Sequence, residues 1–299
     1  MSHNADARKR SERTAGDLHS IHGATVPSLE ELAIGPIPIA GAETSRRLDG
    51  SPPPASEKPG LTYNDLEECP IRIWNLDPRT MVRFLGNQNG HGSEEFRALR
   101  SHLSRLREQR PIKTLLVTSA LPNEGKSFIA SNLAHVLALQ QGCRVLLIDG
   151  DLRSPRLHQA LGTSLEPGVS DYLMHEAEEI KVIQRGTGDL FFIPAGRAIS
   201  GPTELLASGG MKSLIDRVAN FFDWIVIDSP ATVPVSDACV LATFCDGVLI
   251  VVRSQFTPFD VVRQARQRFR EEALVGVVLN GTEADSSLHS RYRYHSSKA

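Results

Sequence analysis

The chain has 299 residues, of which 40% are hydrophobic and 23% are charged, and its formal net charge is −2. These values are typical of a soluble globular protein and leave room for one large α/β domain with an arm, or for two modest domains. The near-neutral charge argues neither for nor against a nucleic-acid partner, and such a claim would need a local basic patch. We expect no nucleic-acid partner. The four cysteines form no C-x-x-C pair, which favours a reducing compartment over a disulfide framework.

No apolar run in the sequence reaches the roughly 18 to 20 residues that a membrane-spanning helix needs. The N-terminal stretch MSHNADARKRSERTAGD has basic residues but no apolar segment behind them, so it is not a secretory signal. We therefore expect a cytoplasmic protein, which a partner must recruit if it acts at the inner face of the membrane.

The N-terminal part, residues 1–92, is rich in Ser, Pro, Gly and charged residues and includes the tract SPPPASEKPG. It shows no sustained hydrophobic period, so we predict a largely disordered arm. Two apolar clusters, SLEELAIGPIPI and IRIWNL, interrupt this arm. We expect one or two such segments to dock locally.

A helix is predicted over residues 93–108, with Ser93 as its N-cap and Glu94 and Glu95 in the first turn, where the helix dipole favours acids. Its apolar residues fall on one face at helical spacing: Phe96, Leu99, Leu103 and Leu106. Three arginines, Arg97, Arg100 and Arg107, lie off this face. Such a pattern is typical of core contact on one side and solvent on the other.

From residue 112 onward the sequence alternates between apolar runs of strand length and helical stretches. The predicted strands are TLLVTS, RVLLID, LFFIPA, WIVID, GVLIVV and LVGVVLN. Helices are predicted in KSFIASNLAHVLALQQG, PTELLASGGMKSLIDRVANFF and TPFDVVRQARQRFREEA. Apolar runs without alternation indicate strands buried on both faces, and strand–helix–strand order indicates a parallel sheet. We predict a doubly wound α/β domain over residues 93–280, followed by a flexible tail over 281–299.

The stretch TSALPNEGKS, residues 118–127, connects a predicted strand to a predicted helix and contains the P-loop pattern A-x-x-x-x-G-K-S. Backbone N–H groups of such a loop and the helix N-terminus after it bind phosphates. Lys126 is placed to reach the β- and γ-phosphates, and the Ser127 hydroxyl to ligate magnesium. The predicted nucleotide-binding residues of this loop are Ala120, Pro122, Asn123, Glu124, Gly125, Lys126 and Ser127.

Acidic residues follow two other predicted strands. VLLIDGDLRSPRLH carries Asp149 and Asp151, and WIVIDSPA carries Asp228 where a Walker B acid holds magnesium. A lone D-x-D pair is usually a pair of helix-capping acids. Ligands of open parallel sheets bind beyond the carboxyl ends of the strands, so all three motifs should face the same edge. Their conjunction predicts a site for a magnesium–nucleoside triphosphate.

From about Glu94 to Asn280 the sequence resembles the bacterial tyrosine autokinases of capsular and exopolysaccharide synthesis, P-loop kinases of the cytoplasmic type. VTSALPNEGKS is similar to their Walker A motif, LLIDGDLRSP to their second aspartate motif, and IVIDSPA to their Walker B motif. Further similar segments are IPAGRAISGPTELLAS, DGVLIVVR, GVVLN and the E-x-x-R-x-x-R pattern in EEFRALRSHL.

The resemblance implies roles for the site residues, with ATP and Mg²⁺ as cofactors. Lys126 would neutralise the triphosphate and Asp149 would orient or deprotonate an incoming tyrosine, with Asp151 as a further catalytic residue. The implied metal ligands are Ser127, Asp151 and Asp228. Asn280 ends the last strand where the adenine-contacting loop of the family begins. The implied interface of a homo-oligomeric ring comprises Glu94, Arg97 and Arg100.

The resemblance also implies partners and substrates. A separate membrane protein, a chain-length determinant or polysaccharide co-polymerase, would supply an activating segment, and a cognate phosphatase would reverse the reaction. The tail contains RYRY, so Tyr292 and Tyr294 are the predicted phosphoacceptors, modified in neighbouring subunits. The implied function is an autokinase that regulates polysaccharide chain length or export.

Three positions depart from the family pattern. Asn123 stands where glycine is usual, Ala231 replaces the second proline of the Walker B motif, and the tail has two tyrosines rather than a longer cluster. Two alternatives stay open. One is a nucleotide-binding scaffold of a membrane polymerase without kinase activity. The other is an ATPase switch like the plasmid-partitioning and division-site-selecting ATPases. Those carry a lysine just after the first glycine of the P-loop, and Leu121 at that position argues against this alternative.

Overall fold

The computed structural model describes residues 61–82 and 92–282. Residues 1–60, 83–91 and 283–299 lie outside it, and with them most of the predicted arm and both predicted phosphoacceptors, Tyr292 and Tyr294. Within the described ranges the strands are β1 (Thr114–Ser119), β2 (Val145–Asp149), β3 (Gln184–Arg185), β4 (Leu190–Ile193), β5 (Trp224–Asp228), β6 (Gly247–Arg253) and β7 (Leu274–Asn280).

The first five α-helices are α1 (Tyr63–Glu68), α2 (Ser93–Gln109), α3 (Lys126–Ala138), α4 (Leu157–Leu161) and α5 (Val169–Leu173). The others are α6 (Glu179–Val182), α7 (Pro202–Ala207), α8 (Gly210–Val218), α9 (Asp237–Ala242) and α10 (Phe259–Arg266). Two short 3-10 helices occupy Ala219–Phe221 and Glu271–Ala273. None of the helices in the described ranges is long and apolar enough to cross a membrane.

The strands form one sheet in the order β3-β4-β2-β5-β1-β6-β7. Six of them run parallel, and the two-residue strand β3 pairs antiparallel with β4. The predicted doubly wound, mostly parallel sheet is thereby confirmed. Strand β3 was not predicted, because two residues carry no detectable periodicity.

Residues of one strand point alternately to the two faces of the sheet. Leu146 and Ile148 of β2 pack into the core on one face, whereas Val145 and Leu147 pack with α2, α3 and α4 on the other. This explains the continuous apolar runs, since each fully buried aliphatic side chain contributes roughly 1.5–3 kcal/mol. Strand β7 differs from the prediction of burial on both faces. It pairs with β6 alone, and Val277 is 59% exposed.

Helix α2 matches the predicted helix closely. It begins at Ser93, but the N-cap position belongs to Gly92, so the predicted cap is one residue off. Phe96 and Leu103 are buried, and the Phe96 ring packs edge-on against Phe128 of α3 at 5.8 Å. The apolar face of α2 therefore covers α3, the helix that follows the P-loop.

Residues 61–82, which we call the strap, pack along the domain although they belong to the predicted arm. At one end the Tyr63 hydroxyl donates to the Asn220 carbonyl at 2.9 Å. In the middle, Trp74 of the predicted docking cluster IRIWNL packs against Phe192 at 6.2 Å. At the other end Asn132 of α3 accepts from the Val82 N–H at 2.7 Å and donates to the Thr80 carbonyl at 2.8 Å. The segment IRIWNL, which was expected to dock, therefore contacts the domain. The bounds of the domain, residues 93 and 280, stay predictions.

Candidate active site

The carboxyl ends of three adjacent strands bring the three sequence motifs together. Strand β5 lies between β2 and β1, and the backbone register places Asp149 directly beside Asp228. On the other side of β5, Asp228 is level with Val117, close to the start of the P-loop. The expectation that all three motifs open onto one edge of the sheet is therefore met.

The P-loop lies between β1 and α3 and takes two left-handed backbone conformations. Asn123 has φ 65°, which asparagine tolerates better than most residues, so its presence in place of the usual glycine is compatible with the loop. Gly125 has φ 96°, and a Cβ there would lie 2.1 Å from the Asn280 side-chain nitrogen. Glycine is thus favoured at 125 chiefly by its left-handed conformation, and any larger residue would also displace the Asn280 side chain. Ala120 is fully buried and does not adopt a positive φ, so it replaces the first glycine without strain.

The side chain of Glu124 is fully buried and faces the loop after β6. Its carboxylate accepts hydrogen bonds from the Leu121 N–H, the Thr257 hydroxyl and the Arg253 N–H, the last at 3.3 Å. Glu124 was predicted to bind nucleotide. Its backbone is part of the P-loop, but its side chain points away from solvent and hydrogen-bonds to residues that hold the loop in place.

Asn280 also supports the P-loop, because its side-chain amide donates to the Glu124 carbonyl at 2.9 Å. Arg253 reaches the Asn123 carbonyl at 3.4 Å. Thr257 and Arg253 were missed by sequence reasoning, since a contact across about 130 residues leaves no local pattern. Their position at the carboxyl end of β6 and just after it, next to β1, is the signal that could have indicated them.

Lys126 is paired with Asp151, with 3.2 Å between the ammonium nitrogen and the carboxylate. The two side chains are 14% and 7% exposed, so water screens this pair only partly. The Asp151 carboxylate also accepts from the Ser154 N–H at 3.0 Å. The P-loop lysine and the second acidic motif are therefore in direct contact.

Asp149 is completely buried, and its carboxylate accepts from the N–H groups of Asp151 and Leu157, both at 3.2 Å. Burial raises the pKa of Asp149 well above its ordinary value, and the charges of Asp228 and Asp151 raise it further. A carboxylate with a raised pKa is better suited to exchange a proton near neutral pH.

Asp228 is also completely buried, and neither carboxylate oxygen has a hydrogen bond of standard geometry among the described residues, although the Ser127 hydroxyl is near enough to lower the pKa of Asp228. Burial raises its pKa to about 6, although the charge of Lys126 acts in the opposite direction. Buried carboxylate oxygens without partners are costly unless a cation or water satisfies them. This carboxylate therefore fits a role in holding Mg²⁺.

A metal ion at this edge would need ligands from outside the protein. In the described part of the chain, no group of three or more His, Cys, Asp or Glu side chains could hold an ion together. Mg²⁺ typically uses one or two carboxylates, water and substrate phosphates. Ser127, Asp151 and Asp228, which lie around Lys126 at the end of the P-loop, fit that kind of site.

Arg153, two residues after Asp151, holds the second acidic motif in place. Its guanidinium donates to the buried Asp237 carboxylate at 2.8 and 3.1 Å and to the Thr203 hydroxyl at 2.9 Å. These bonds join the motif to α9 and α7. Sequence reasoning did not identify this network.

The predicted ring-interface residues lie on α2. Glu94 and Arg97 form an ion pair with each other, and Arg100 donates to the Val136 carbonyl of α3 at 3.0 Å. Arg100 therefore ties α2 to α3 within one subunit. Its part in a subunit interface, like that of Glu94 and Arg97, stays a prediction.

Comparison with known proteins decides the family. The family model described as an AAA domain matches residues 123–271. The tyrosine-protein kinase YwqD of Bacillus subtilis is 34% identical over 209 residues, covering 69% of this chain and 87% of YwqD. The chain belongs to the bacterial tyrosine kinase family. The family resemblance found in the motifs is thus confirmed.

Other relatives of the family are longer than this chain. The tyrosine-protein kinase Etk of Escherichia coli is 32% identical over 234 residues, which is 71% of this chain and 32% of Etk. The succinoglycan biosynthesis transport protein ExoP of Rhizobium meliloti is 40% identical over 179 residues, which is 57% of this chain and 22% of ExoP. The chain matches less than a third of either relative.

Two solved structures share the fold. The kinase domain of E. coli Etk has 34% identity and a TM-score of 0.60, and the match covers 64% of this chain and 76% of that domain. The chimerical protein CapA2B2 has 29% identity and a TM-score of 0.62, covering 73% of this chain and 98% of the chimera. The common part is the P-loop α/β domain.

Proposed function

We propose that this chain is an ATP-dependent protein-tyrosine autokinase that regulates the chain length or export of an exopolysaccharide or capsule. The observation that carries the proposal is the meeting of the P-loop, Asp149, Asp151 and Asp228 at the ends of three adjacent strands. The tyrosine-kinase relatives, and one relative named for succinoglycan biosynthesis transport, support the reaction and its setting.

The chain's own residues supply charge neutralisation and positioning, which dominate catalysis of phosphoryl transfer. The P-loop amides and Lys126 bind the triphosphate. The ammonium group of Lys126 then leaves the Asp151 carboxylate and contacts phosphate oxygens instead. Asp151 would then be available, with Ser127 and Asp228, to hold Mg²⁺, which would neutralise charge that develops on the phosphates. Asp149 orients the tyrosine hydroxyl and accepts its proton.

The acceptors are Tyr292 and Tyr294 in the tail of a neighbouring subunit of a homo-oligomeric ring built through Glu94, Arg97 and Arg100. Each phosphate adds about −1.5 to −2 charges, and repulsion between modified tails loosens the ring. A membrane chain-length determinant activates the kinase at the inner face of the membrane, and a cognate phosphatase removes the phosphates.

The full-length protein incubated with Mg-ATP tests the proposal. Cleavage before Asp285 releases a peptide with both tail tyrosines, and its mass should rise by one or two phosphates. Lys126→Ala should abolish the increase. The reaction is run with and without the cytoplasmic segment of a chain-length determinant. If Mg-ATP binds but no phosphate appears in either condition, the chain is a nucleotide-binding scaffold instead.

A further inference from the structure

Strand β7 forms one edge of the sheet and leaves a row of apolar side chains uncovered. It pairs with β6 on one side, and no strand of the described ranges pairs with its other side. Val277 and Leu279 are 59% and 55% exposed, and they are the only exposed large hydrophobic residues in β1 to β7. Because they are two positions apart in an extended strand, their side chains lie on the same face of the sheet.

The backbone groups of the same two residues also point away from β6. The Ser254 N–H donates to the Asn280 carbonyl at 2.8 Å, so Asn280 directs its backbone groups toward the β6 side. These groups alternate along a strand, so those of Val277 and Leu279 point to the open side. The pairing with β6 is regular from Gly276 to Asn280. Strand β7 contains no proline or charged residue that would discourage a further strand from pairing there.

The sequence after β7 has the pattern of a strand that could cover this edge. In LHSRYRYH, residues 288–295, every second residue is a histidine or an arginine. The positions between them carry Leu288, Ser290, Tyr292 and Tyr294. Strict alternation over such a length indicates a strand with one face against the protein and one polar face. These residues lie outside the described ranges, so the pattern comes from the sequence alone.

The connection between β7 and this segment suits an antiparallel hairpin. Gly281 follows β7 directly and has φ 70°, a left-handed conformation that glycine adopts readily in turns. The connecting stretch GTEADSS, residues 281–287, is rich in residues that favour turns. Consecutive elements joined by a short connection are usually neighbours in space. Residues 288–295 are therefore the segment of this chain best placed to reach the open edge of β7.

We propose that residues 288–295 pair antiparallel with the open edge of β7 in the same subunit, an arrangement that we call the docked tail. Residues opposite each other in an antiparallel pair have their side chains on one face. In the docked tail, Tyr292 and Tyr294 lie on the face of Val277 and Leu279, and their rings cover the exposed aliphatic side chains. The histidines and arginines lie on the other face.

The docked tail also regulates phosphorylation, and this consequence rests on the proposed kinase function. A tyrosine held against its own subunit cannot enter the active site of a neighbour. A phosphate on Tyr292 or Tyr294 brings about −1.5 to −2 charges next to Val277 and Leu279, whose side chains have no hydrogen-bond donor. Phosphorylation therefore displaces the tail from β7. The docking itself requires no kinase activity.

Hydrogen exchange of the full-length protein, followed by mass spectrometry, tests the docking. The amides of residues 288–295 should exchange about tenfold more slowly in the unaltered protein than in Val277→Lys, which places a charge on the covered face. The matched control is Ile73→Lys, because Ile73 is 90% exposed and lies in the strap, which contacts β3 at the opposite edge of the sheet. Equal exchange of these amides in all three proteins overturns the proposal.

Two substitutions in the tail test which of its faces is covered. Tyr292→Asp should release the tail, because it places a carboxylate against aliphatic side chains. Arg293→Asp changes the charge more but lies on the other face, so exchange of the tail amides should stay within about twofold of the unaltered protein. Equal loss of protection in both variants overturns the assignment of the faces. Protection that disappears when the unaltered protein is diluted assigns the edge to a second copy and overturns docking within one subunit.

Phosphorylation kinetics separate this inference from the kinase proposal. A tenfold slowing of exchange means that the tail is docked about nine-tenths of the time, so the tail of Val277→Lys should be phosphorylated up to about tenfold faster. An equal rate in the unaltered protein and in Val277→Lys refutes the regulatory consequence. Protected tail amides with no phosphate in either protein support the docking and refute the kinase function alone. Phosphorylated tails without any protection refute the docking alone.

Discussion

The ammonium group of Lys126 lies 3.2 Å from the carboxylate of Asp151, so the residue expected to bind phosphate and a residue expected to bind metal are paired with each other. Under the proposed function, binding of a nucleotide with its metal would separate this pair. We therefore expect the strength of the pair to affect the affinity for nucleotide and its dependence on Mg²⁺.

Asp151→Asn removes the negative charge that holds Lys126. We expect ADP to bind about fivefold more tightly in EDTA, which corresponds to about 1 kcal/mol. The reason is that Lys126 no longer has to break an ion pair in order to contact the phosphates. The enhancement of ADP binding by Mg²⁺ should shrink in the same variant. Calorimetry in EDTA and in Mg²⁺ measures both effects. Asp216→Asn, which removes the exposed partner of Lys212, is the control. Weaker ADP binding in EDTA would contradict this account of the pair.

Thr257→Val removes a hydroxyl that donates to the buried Glu124 carboxylate. We expect a loss of about 1–3 kcal/mol in the free energy of unfolding, as is usual when a buried charged group loses a hydrogen bond. The affinity for ADP should fall as well, because Glu124 lies within the P-loop. Urea denaturation and ADP titration give the two values. Thr257→Ser keeps the hydroxyl and should behave like the unaltered protein, so equal losses in both variants would exclude this role.

Gly125→Ala introduces a side chain where φ is 96° and where Asn280 leaves no space. We expect a destabilisation of at least about 1–2 kcal/mol, the ordinary cost of a left-handed conformation for alanine. Adding Asn280→Ala removes the steric overlap but not the conformational strain, so the double variant should recover only part of the loss. Thermal unfolding of both proteins decides this. Full recovery would show that space alone, and not φ, demands glycine.

Asn132→Ala removes both side-chain hydrogen bonds that attach the strap to α3. Because Asn132 is fully buried, we expect a loss of about 2–3 kcal/mol and faster proteolysis between residues 61 and 82. Urea denaturation and limited proteolysis followed by mass spectrometry are the measurements. Asn220→Ala is the matched control, since the strap uses only the backbone carbonyl of Asn220. A strap that stays resistant to protease in Asn132→Ala would show that its apolar contacts suffice.

The sequence was most informative where the chemistry is local. Lys126, Asp149 and Asp228 each follow an apolar run that could be recognised as a strand, and parallel strand order brings their ends to one edge. The hydrogen bonds to the Glu124 carboxylate could not be predicted. Glu124 and Thr257 are 133 residues apart in the sequence and come together only in the folded domain. The exposure of β7 was missed for a related reason. An apolar run shows that a strand exists, but not how many neighbours it has.

The strap was the least predictable element. Its polar and charged composition resembles that of a disordered segment, yet Leu66, Met81 and Val82 are buried. Its attachment depends on single side chains such as Asn132, whose partners are backbone groups about 50 residues away. The composition of a segment does not predict individual hydrogen bonds to residues far away in the sequence.

The attachment of the strap gives the protein an optical probe of its own. The chain has two tryptophans: Trp224, buried in β5, and Trp74, in the strap against Phe192. Helix α3 carries Lys126 in its first turn and Asn132 six residues later, roughly 9 Å along its axis. In a Trp224→Phe variant all indole fluorescence would come from Trp74 in the strap, whose other end is tied by Asn132 to α3, the helix that carries Lys126. Its emission could then follow nucleotide binding in real time without an attached dye.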